Sequence, residues 1–211
     1  MMKILPEHYY TETPSSEIST FLIKPIIRNR FYQFKTSSGV FSYRKADKGT
    51  LLLLKYLQIP PNATDFLDMG TGYGIIGIAI ATEFPHLQVK MIDINQRAVW
   101  IARENLKLNK ISNAKVYWGD FYAPLKKEKE KFDLVVTNPP LALGHKILFD
   151  FISTTPFYLK PEGYFYFVVQ TKKGAQKFAD KMNEFFGNVE LVAIQSGYRL
   201  FRSQKLTNQK L

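Results

Sequence analysis

The sequence predicts an α/β fold, doubly wound around a mostly parallel sheet. From about residue 50 onwards, short apolar runs typical of strands alternate with longer segments in which apolar residues recur at helical spacing. A glycine-rich loop follows the first of these strands, and polar residues follow the next three. Such alternation places helices on both faces of a parallel sheet, and 211 residues are enough to bury its core.

The elements of this alternation are recognised one by one from their apolar patterns. They begin with a helix at TLLLLKYL, a strand at DFLDM, a helix at IIGIAIATEF, a strand at LQVKMID and a helix at QRAVWIARENLKLN, which Asn95 opens. Strands at AKVYW and FDLVV, a helix over 146–157, a strand at GYFYFVV and a helix over 175–185 follow. Strands at NVELVAI and YRLFRS close the series. Because only QSG joins them, we expect a hairpin and an antiparallel last strand.

The region before residue 48 has a different character. The segment FYQFKTSSGVFSYR predicts a β-hairpin that turns at Ser37-Ser38-Gly39, and the loosely structured HYYTETPSSE precedes it. We therefore expect an N-terminal extension over residues 1–47, packed on a catalytic domain over residues 48–211.

Composition limits the classes of function. The net charge is +11, and the excess lies at the ends: residues 1–50 carry eight Lys or Arg against four Asp or Glu, and residues 170–211 carry eight against three. This asymmetry suits a polyanion such as nucleic acid, or serves solubility. Cysteine is absent and the three histidines lack ligand spacing, so we expect no metal site. Without a bilayer-length apolar run or a signal peptide, we expect a cytoplasmic protein without a membrane partner.

The loop DMGTGYGIIG lies between the first parallel strand and its helix, where backbone amides can meet a ligand. Gly70, Gly72 and Gly74 allow a tight turn and close approach of a ligand to the backbone. Gly72, Gly74 and Gly77 also match the G-x-G-x-x-G of nicotinamide-dependent oxidoreductases. In that fingerprint the first glycine directly follows the strand, and here that position belongs to Gly70.

Three acidic residues near the strand ends are candidate ligand contacts. Asp93 can accept both ribose hydroxyls of a nucleoside, or can act as a local cap beside Asn95. Asp68 can accept loop amides or the ammonium of a ligand. Asp120 can accept the exocyclic amine of an adenine with Phe121 beside the ring, or can belong to a plain turn.

The run FDLVV leads into TNPPLALG, where Asn-Pro-Pro leaves the strand. Pro139 and Pro140 fix φ, remove two amide donors and hold Asn138 in extended geometry. The tripeptide is either a rigid support for chemistry at Asn138 or only a turn. Lys146, close behind it, either contacts a phosphate or begins the next helix, and we favour the helix start.

Taken together, Asp-x-Gly-x-Gly-x-Gly, Asp93, Asp120 and Asn-Pro-Pro after four successive strands resemble the class I S-adenosylmethionine-dependent methyltransferases. HYY, GVFSYRKADKGT, NPPLALGHK and FGNVELVAIQSGYRLFRS are similar to the "methyltransferase small" group, which includes ribosomal small-subunit guanine-N2 methyltransferases. The resemblance implies a seven-stranded sheet and S-adenosylmethionine bound over the glycine loop. Asp93 would hold its ribose, Asp120 and Phe121 its adenine, and GVFS, with Phe41 and Ser42, would lie over it.

The resemblance also implies a substrate. An exocyclic amino group of a base in RNA is a poor nucleophile, and the Asn138 side-chain oxygen and the Pro139 carbonyl could each accept one of its N–H groups. Adenine enzymes usually have an aromatic residue directly after Asn-Pro-Pro, whereas Leu141 stands here. We therefore expect Leu141 to face a guanine and predict methylation of guanine N2 in ribosomal RNA.

Other functions are compatible with the same motifs. Adenine N6 and a protein glutamine amide are also planar nitrogens that enzymes with Asn-Pro-Pro methylate. A non-catalytic RNA-binding protein that retains the fold is a further alternative. Methylation of cytosine C5 through a cysteine adduct is excluded by composition.

Overall fold

A computed structural model describes residues 19–125 and 130–207 of the chain. In chain order its strands are β1 (Thr20–Ile23), β2 (Ile26–Ile27), β3 (Arg30–Phe31), β4 (Phe34–Ser37), β5 (Asp65–Met69), β6 (Gln88–Asp93), β7 (Ala114–Trp118), β8 (Phe132–Thr137), β9 (Leu159–Gln170), β10 (Glu190–Gln195) and β11 (Tyr198–Gln204). The α-helices are α1 (Lys48–Tyr56), α2 (Ile75–Glu83), α3 (Gln96–Leu108), α4 (His145–Thr154) and α5 (Ala175–Phe186).

The central sheet has seven strands in the order β10-β11-β9-β8-β5-β6-β7. Strands β5 to β9 pair in parallel, and β11 pairs antiparallel with both β9 and β10. The predicted α/β fold and its antiparallel last strand are confirmed. The chain moves outward from β5 through β6 to β7 and then returns to β8 on the other side of β5. At such a reversal the carboxyl ends of adjacent strands open a crevice for a ligand.

Both faces of the sheet are covered, because successive side chains of a strand point to opposite faces. On β8, Leu134 and Val136 join the apolar core that includes Leu53 of α1 and Ile78 of α2. Val135 joins the other core, with residues of α4 and α5. The strands are therefore buried on both sides, which explains their nearly continuous apolar sequence.

The N-terminal extension contains hairpin strands, but the predicted pairing is wrong. Strand β4 pairs antiparallel with β1, and residues 38–45 form turns instead of a second strand. The Ser38 carbonyl accepts a hydrogen bond from the side chain of Arg97 on α3, and the Gly39 carbonyl accepts one from Asn95, the N-cap of α3, each at 2.9 Å. These long-range contacts compete with a local ladder after the turn.

The helix predicted over 146–157 is shorter than expected. It begins at His145 and ends at Thr154, and a 3₁₀ turn over Thr155–Tyr158 follows. Pro156 has no amide hydrogen to donate to the next helical hydrogen bond, so α4 does not continue through it. The predicted helix start near Lys146 is confirmed. The segment HYYTETPSSE lies outside the described residues.

In the part of the chain that the structure describes, no helix is both long and apolar enough to cross a membrane. Within the same residues, no group of three or more His, Cys, Asp or Glu side chains is arranged to hold a metal ion.

Candidate active site

A cavity of about 300 Å³ opens at the carboxyl ends of β5, β6, β7 and β8. The loops that follow these four strands supply most of its wall, because parallel strands bring their carboxyl ends to one edge of the sheet. The segment before α1 contributes Val40 and Phe41, and Leu143 and Ile147 close the side next to α4. The wall is mainly apolar with a few convergent polar groups, as is usual for a small-molecule site.

The glycine loop presents open backbone to this cavity. The amides of Gly70 and Thr71 donate to the Ile92 carbonyl at 2.9 and 3.0 Å, which ties the loop to β6. Gly70 and Gly72 have φ values of +71° and +58°, and a Cβ built on either meets no atom within 4 Å. The positive φ favours glycine, and the empty space allows a ligand to approach the main chain.

Asp93 lies at the end of β6 and supports this loop. Its Oδ2 accepts the Gly72 amide at 2.8 Å, and its Oδ1 accepts the Asn95 amide at 2.9 Å. Desolvation by burial raises the pKa of Asp93 to about 6, although part of the residue is open to the cavity. Each carboxylate oxygen can accept a further hydrogen bond, so Asp93 can serve as loop support and as an acceptor for paired hydroxyls.

Asp68 lies behind the loop and is fully buried. Its Oδ2 accepts the Thr71 hydroxyl at 2.6 Å and the Gly77 amide at 2.9 Å. Its Oδ1 has no hydrogen-bond partner among the described residues. Desolvation raises the pKa of Asp68 to about 7, and the charge of Asp93 adds to the effect. Asp68 therefore supports the glycine loop through Oδ2, as predicted, while Oδ1 is left without a described partner.

Asp120 and Phe121 follow β7 and line the same cavity. The Gly119 amide donates to the Asp93 carbonyl at 3.1 Å, which connects this turn to the end of β6. The ring of Phe121 stacks on Phe151 with centroids 4.9 Å apart, so α4 supports its position. A flat apolar surface beside an acidic group suits a planar heterocycle with an amino substituent.

Asn138 closes the cavity at the end of β8. Its side-chain Nδ2 donates to Asp47 Oδ2 at 2.8 Å and to Thr50 Oγ1 at 2.9 Å. Both N–H groups of the amide are thus used, and Oδ1 accepts no hydrogen bond from a described residue. The preceding Thr137 donates from Oγ1 to the Met69 carbonyl at 2.9 Å, which joins the ends of β8 and β5.

A second cavity of about 280 Å³ adjoins the first. The two share Phe41, Asn138 and Pro139, so these residues stand where the cavities meet. Leu141 and Tyr198 are among the residues that line only the second cavity. The arrangement provides two adjacent compartments with the Asn138 amide between them.

The structure brings most of the predicted site residues together. The first cavity is lined by Phe41, Gly70, Gly72, Asp93, Asp120, Phe121, Asn138, Pro139 and Pro140, and Leu141 lines the second. Ser42, Asp68, Gly74 and Lys146 line neither cavity.

Two of the residues outside the cavities have roles in the local fold. The Ser42 hydroxyl donates to the Lys45 carbonyl at 2.6 Å. Gly74 is the N-cap of α2, and a Cβ there would lie 2.9 Å from Met91. Their predicted contact with the cofactor stays a prediction, as does contact of Lys146 with the substrate.

Sequence reasoning missed the surroundings of Asn138. Asp47, Thr50 and Tyr198 come from α1 and β11, far from Asn138 in the chain. The only local signal was the N-cap pattern of Asp47 before α1. That pattern predicts the start of a helix and contains no information about a partner on β8.

The fold and the cavity define a class I S-adenosylmethionine-dependent methyltransferase. The model of the methyltransferase small domain family matches residues 31–202, and the chain belongs to this family. The predicted resemblance is confirmed, and the cofactor is S-adenosylmethionine.

Two relatives of known sequence match most of this chain. Uncharacterized protein YbxB of Bacillus subtilis is 34% identical over 202 residues, which cover 96% of this chain and 100% of that protein. Ribosomal RNA small subunit methyltransferase C of Shewanella pealeana is 32% identical over 171 residues, covering 79% of this chain and 48% of that protein. The chain therefore spans about half the length of this methyltransferase.

Among solved structures, the T. thermophilus 16S rRNA N2 G1207 methyltransferase RsmC, in complex with AdoMet and guanosine, is similar with a TM-score of 0.79 and 25% identity. The match covers 91% of this chain and 52% of that one.

The described residues fit S-adenosylmethionine. Gly70 and Gly72 leave the space that a ligand needs beside the main chain. Asp93 can accept hydroxyls, and Asp120 with Phe121 provides an acceptor beside an aromatic face. The buried and unpaired Oδ1 of Asp68 supplies negative charge behind the loop, which suits a cationic ligand.

Proposed function

We propose that this protein methylates the N2 amino group of a guanine in RNA, with ribosomal RNA as the favoured substrate. One observation carries the proposal: Asn138 stands where the two cavities meet and keeps only its carbonyl oxygen available. An amide oxygen at this junction can accept a hydrogen from an amino group that enters from the second cavity.

The chemistry needs acceptors and positioning more than a strong base. S-adenosylmethionine supplies a methyl group on a sulfonium that leaves as a neutral thioether. Oδ1 of Asn138 and the carbonyl of Pro139 each accept one N–H of the amino group, which turns the nitrogen lone pair toward the first cavity. With the cofactor bound in the first cavity, this nitrogen would take the methyl carbon as the sulfur–carbon bond breaks and would then release a proton to solvent. The rigid Asn-Pro-Pro segment keeps both acceptors in place.

The second cavity fits a single base next to these acceptors. Leu141 and Ala142 give it an aliphatic surface, and Gln170, Lys173 and Tyr198 give it polar groups. The rings of Phe41 and Tyr198 also line this cavity, but the position directly after Asn-Pro-Pro holds the aliphatic Leu141 in place of the aromatic residue that is usual in adenine enzymes. This difference supports guanine as the base.

The distribution of charge supports RNA as the carrier of that base. Lys172, Lys173 and Lys177 are exposed near the second cavity, and Lys173 lines it. None of the three forms a salt bridge with a residue that the structure describes, so they are available to phosphates. Lys45 and Lys48, also exposed, follow Phe41 in the chain, and Phe41 lines this cavity.

Ribosomal RNA is favoured because methyltransferase C proteins, which share the family, are named for it. Such a substrate implies action in the cytoplasm. We also propose the division into an extension over residues 1–47 and a catalytic domain over residues 48–211. Phe41 is the extension's contribution to both cavities.

The decisive assay is labelled methyl transfer to total RNA from cells that lack this protein, followed by nucleoside digestion and chromatography. We expect label in N2-methylguanosine and a loss of roughly a hundredfold or more in turnover for Asn138→Ala, with cofactor affinity retained. Asn183→Ala, an exposed asparagine on α5, is the matched control and keeps the wild-type rate.

Other products would assign another function. Label in N6-methyladenosine would contradict the guanine assignment, as would an Asn138→Ala variant as fast as wild type. Label in a protein glutamine would do the same. That outcome is worth measuring because release factor glutamine methyltransferase of Aliivibrio fischeri is 41% identical over 88 residues, 42% of this chain and 31% of that protein.

A further inference from the structure

The orientation of the Asn138 amide is controlled by residues distant in the chain. A carboxylate has no hydrogen to donate, so Asp47 can bind the Asn138 amide only through its Nδ2 hydrogens. Thr50 Oγ1 accepts the second of these hydrogens. With the amide rotated by 180°, its oxygen would face the Asp47 carboxylate and this contact would be lost, whereas the Thr50 hydroxyl, which can also donate, could keep its own contact.

Asp47 is itself held from several sides. As N-cap of α1, its Oδ2 accepts the backbone amides of Gly49 and Thr50 at 2.8 and 3.0 Å. Its Oδ1 accepts the Tyr198 hydroxyl at 3.0 Å, and Gln170 Nε2 donates to that hydroxyl at 3.2 Å. Both carboxylate oxygens therefore have donors, which leaves the side chain little freedom to turn away from Asn138.

The approach of α1 to the sheet makes this contact possible. A Cβ built on Gly49 would lie 2.7 Å from Cδ1 of Tyr198 and 2.8 Å from Cγ1 of Val168. Only a residue without a side chain lets the first turn of α1 come this close to β9 and β11. The carboxylate at the N-cap consequently reaches across to the end of β8.

We propose that Asp47 is the positioning residue of the site: it holds the Asn138 amide so that Oδ1 faces the amino group to be methylated. The inference rests on the proposed function, in which Oδ1 accepts a hydrogen of that group. Asp47 does not line either cavity, so its effect on the amino group is transmitted by Asn138. Tyr198 and Gln170, which line the second cavity, connect Asp47 to the compartment for the base.

Two substitutions of Asp47 separate positioning from helix capping. Serine and asparagine are both good N-caps, so Asp47→Ser and Asp47→Asn keep the start of α1. Serine has one oxygen and is one bond shorter, so it cannot cap α1 and also reach Asn138. Asparagine keeps an acceptor of the same reach, and its amide nitrogen can donate to the Tyr198 hydroxyl.

The first measurement needs no RNA. In protein labelled with ¹⁵N-asparagine, the Nδ2 protons of Asn138 are assigned by their loss in Asn138→Ala. We expect slow exchange with solvent in the wild type and in Asp47→Asn, and exchange faster by about tenfold or more in Asp47→Ser. Equal exchange in all three proteins would overturn the inference. Thr50→Val, which removes the other acceptor, should also speed exchange. Asp47→Thr, another N-capping residue with a single oxygen, provides the test of Asp47 if Asp47→Ser does not fold.

The second measurement is the rate of a single turnover on RNA. We expect Asp47→Ser to lose about tenfold to a hundredfold in rate with unchanged cofactor affinity, and Asp47→Asn to recover most of the loss. Because Asp47 acts through Asn138, Asp47→Ser should slow the Asn138→Ala enzyme by less than about twofold. Equal losses in the two backgrounds would show that Asp47 acts independently, and the inference would be wrong.

Failure of the proposed function gives a different result. If guanine in RNA is not the substrate, none of the proteins forms N2-methylguanosine, and the proton exchange of Asn138 still reports whether Asp47 holds the amide. If the wild type is active and Asp47→Ser loses neither rate nor protection, the positioning role alone fails.

Discussion

Two acidic residues support the glycine loop, of which Asp68 is fully buried and Asp93 is partly open to the cavity. Asp68 accepts hydrogen bonds through one oxygen only, and Asp93 accepts one backbone amide through each oxygen. Burial raises the pKa of both, to about 7 and about 6. Groups with such perturbed pKa values concentrate at functional sites, and a cationic ligand would compensate the charge that burial disfavours.

The raised pKa of Asp68 makes stability depend on pH. Between the ordinary pKa of about 4 and the folded value of about 7, the folded state binds a proton that the unfolded state has released. Asp68 therefore contributes stability that is complete below about pH 4 and is lost as pH rises through 7. We expect the free energy of unfolding of the cofactor-free protein to fall more steeply between pH 5 and 8 in the wild type than in Asp68→Asn.

Thermal unfolding of the two proteins across this pH range measures the difference. Asp180→Asn is the control, because Asp180 is exposed on α5 and its loss should leave the wild-type slope. Parallel curves for wild type and Asp68→Asn would contradict the prediction.

Asp93 gives a second prediction at the residue level. Asp93→Ala removes a charged acceptor from the place where paired ribose hydroxyls are expected, and we expect S-adenosylmethionine to bind more weakly by about 1 to 3 kcal/mol. Calorimetric titration gives the affinity, and Asp150→Ala, at an exposed position of α4, should match the wild type. If Asp93→Ala binds as tightly as wild type, Asp93 supports the loop and does not contact the cofactor.

Among the helices and strands, α1 is held especially close to its neighbours in the sheet. Its buried face includes Gly49, Thr50 and three leucines, and its N-terminus lies against β9 and β11. The helix thus serves the core through its apolar residues and the candidate site through its first turn. Both the packing of α1 and the geometry of the candidate site depend on the close approach of Gly49 to Tyr198 and Val168.

Gly49→Ala tests that distance. The added Cβ would lie less than 3 Å from the side chains of Tyr198 and Val168, so we expect a loss of about 1 to 3 kcal/mol in the free energy of unfolding. Lys55→Ala places the same residue on the exposed side of the same helix and should change stability by less than about 0.5 kcal/mol. Denaturant unfolding measures the free energy of unfolding of both variants. Equal values would show that α1 can move away from β9 and β11 without loss of stability.

For the whole molecule, the arrangement of charge is the main feature. Exposed basic residues from both halves of the chain adjoin segments that line the second cavity: Lys45 and Lys48 follow Phe41, and Lys172 precedes Lys173, which lines the cavity itself. Regions far apart in the sequence therefore combine at one part of the surface. A polyanion that enters the second cavity would meet positive charge from both.

RNA binding should consequently weaken steeply with salt, because each phosphate contact releases counterions. Neutralising Lys172, Lys173 and Lys177 to glutamine should flatten the slope of log affinity against log salt by up to about 2. The control is the same change at Lys107, Lys110 and Lys115, which are exposed near the opposite ends of the strands. Identical slopes in both triple variants would make the charge near the cavity a solubility feature.

Local sequence determined the sheet and the polar residues at the strand ends that line the first cavity. Apolar runs of strand and helix period recovered β5 to β11 and the helices between them, because these periods are local properties of the chain. Asp93, Asp120 and Asn138 could be assigned to one site because each follows a parallel strand, and parallel strands end at a common edge. Applying that rule requires only the order of strands and helices along the chain, and no knowledge of distances between residues.

Only the tertiary structure decided which residues surround Asn138 and how β4 pairs. Strand β4 joins β1, while side chains from α3 take the carbonyls that a local hairpin would have used. Asp47 and Tyr198 meet beside Asn138 because Gly49 allows α1 to lie against the sheet. Contacts between residues so far apart depend on how helices pack across the sheet, and a periodic pattern encodes the face that an element buries, not the partner that it meets there.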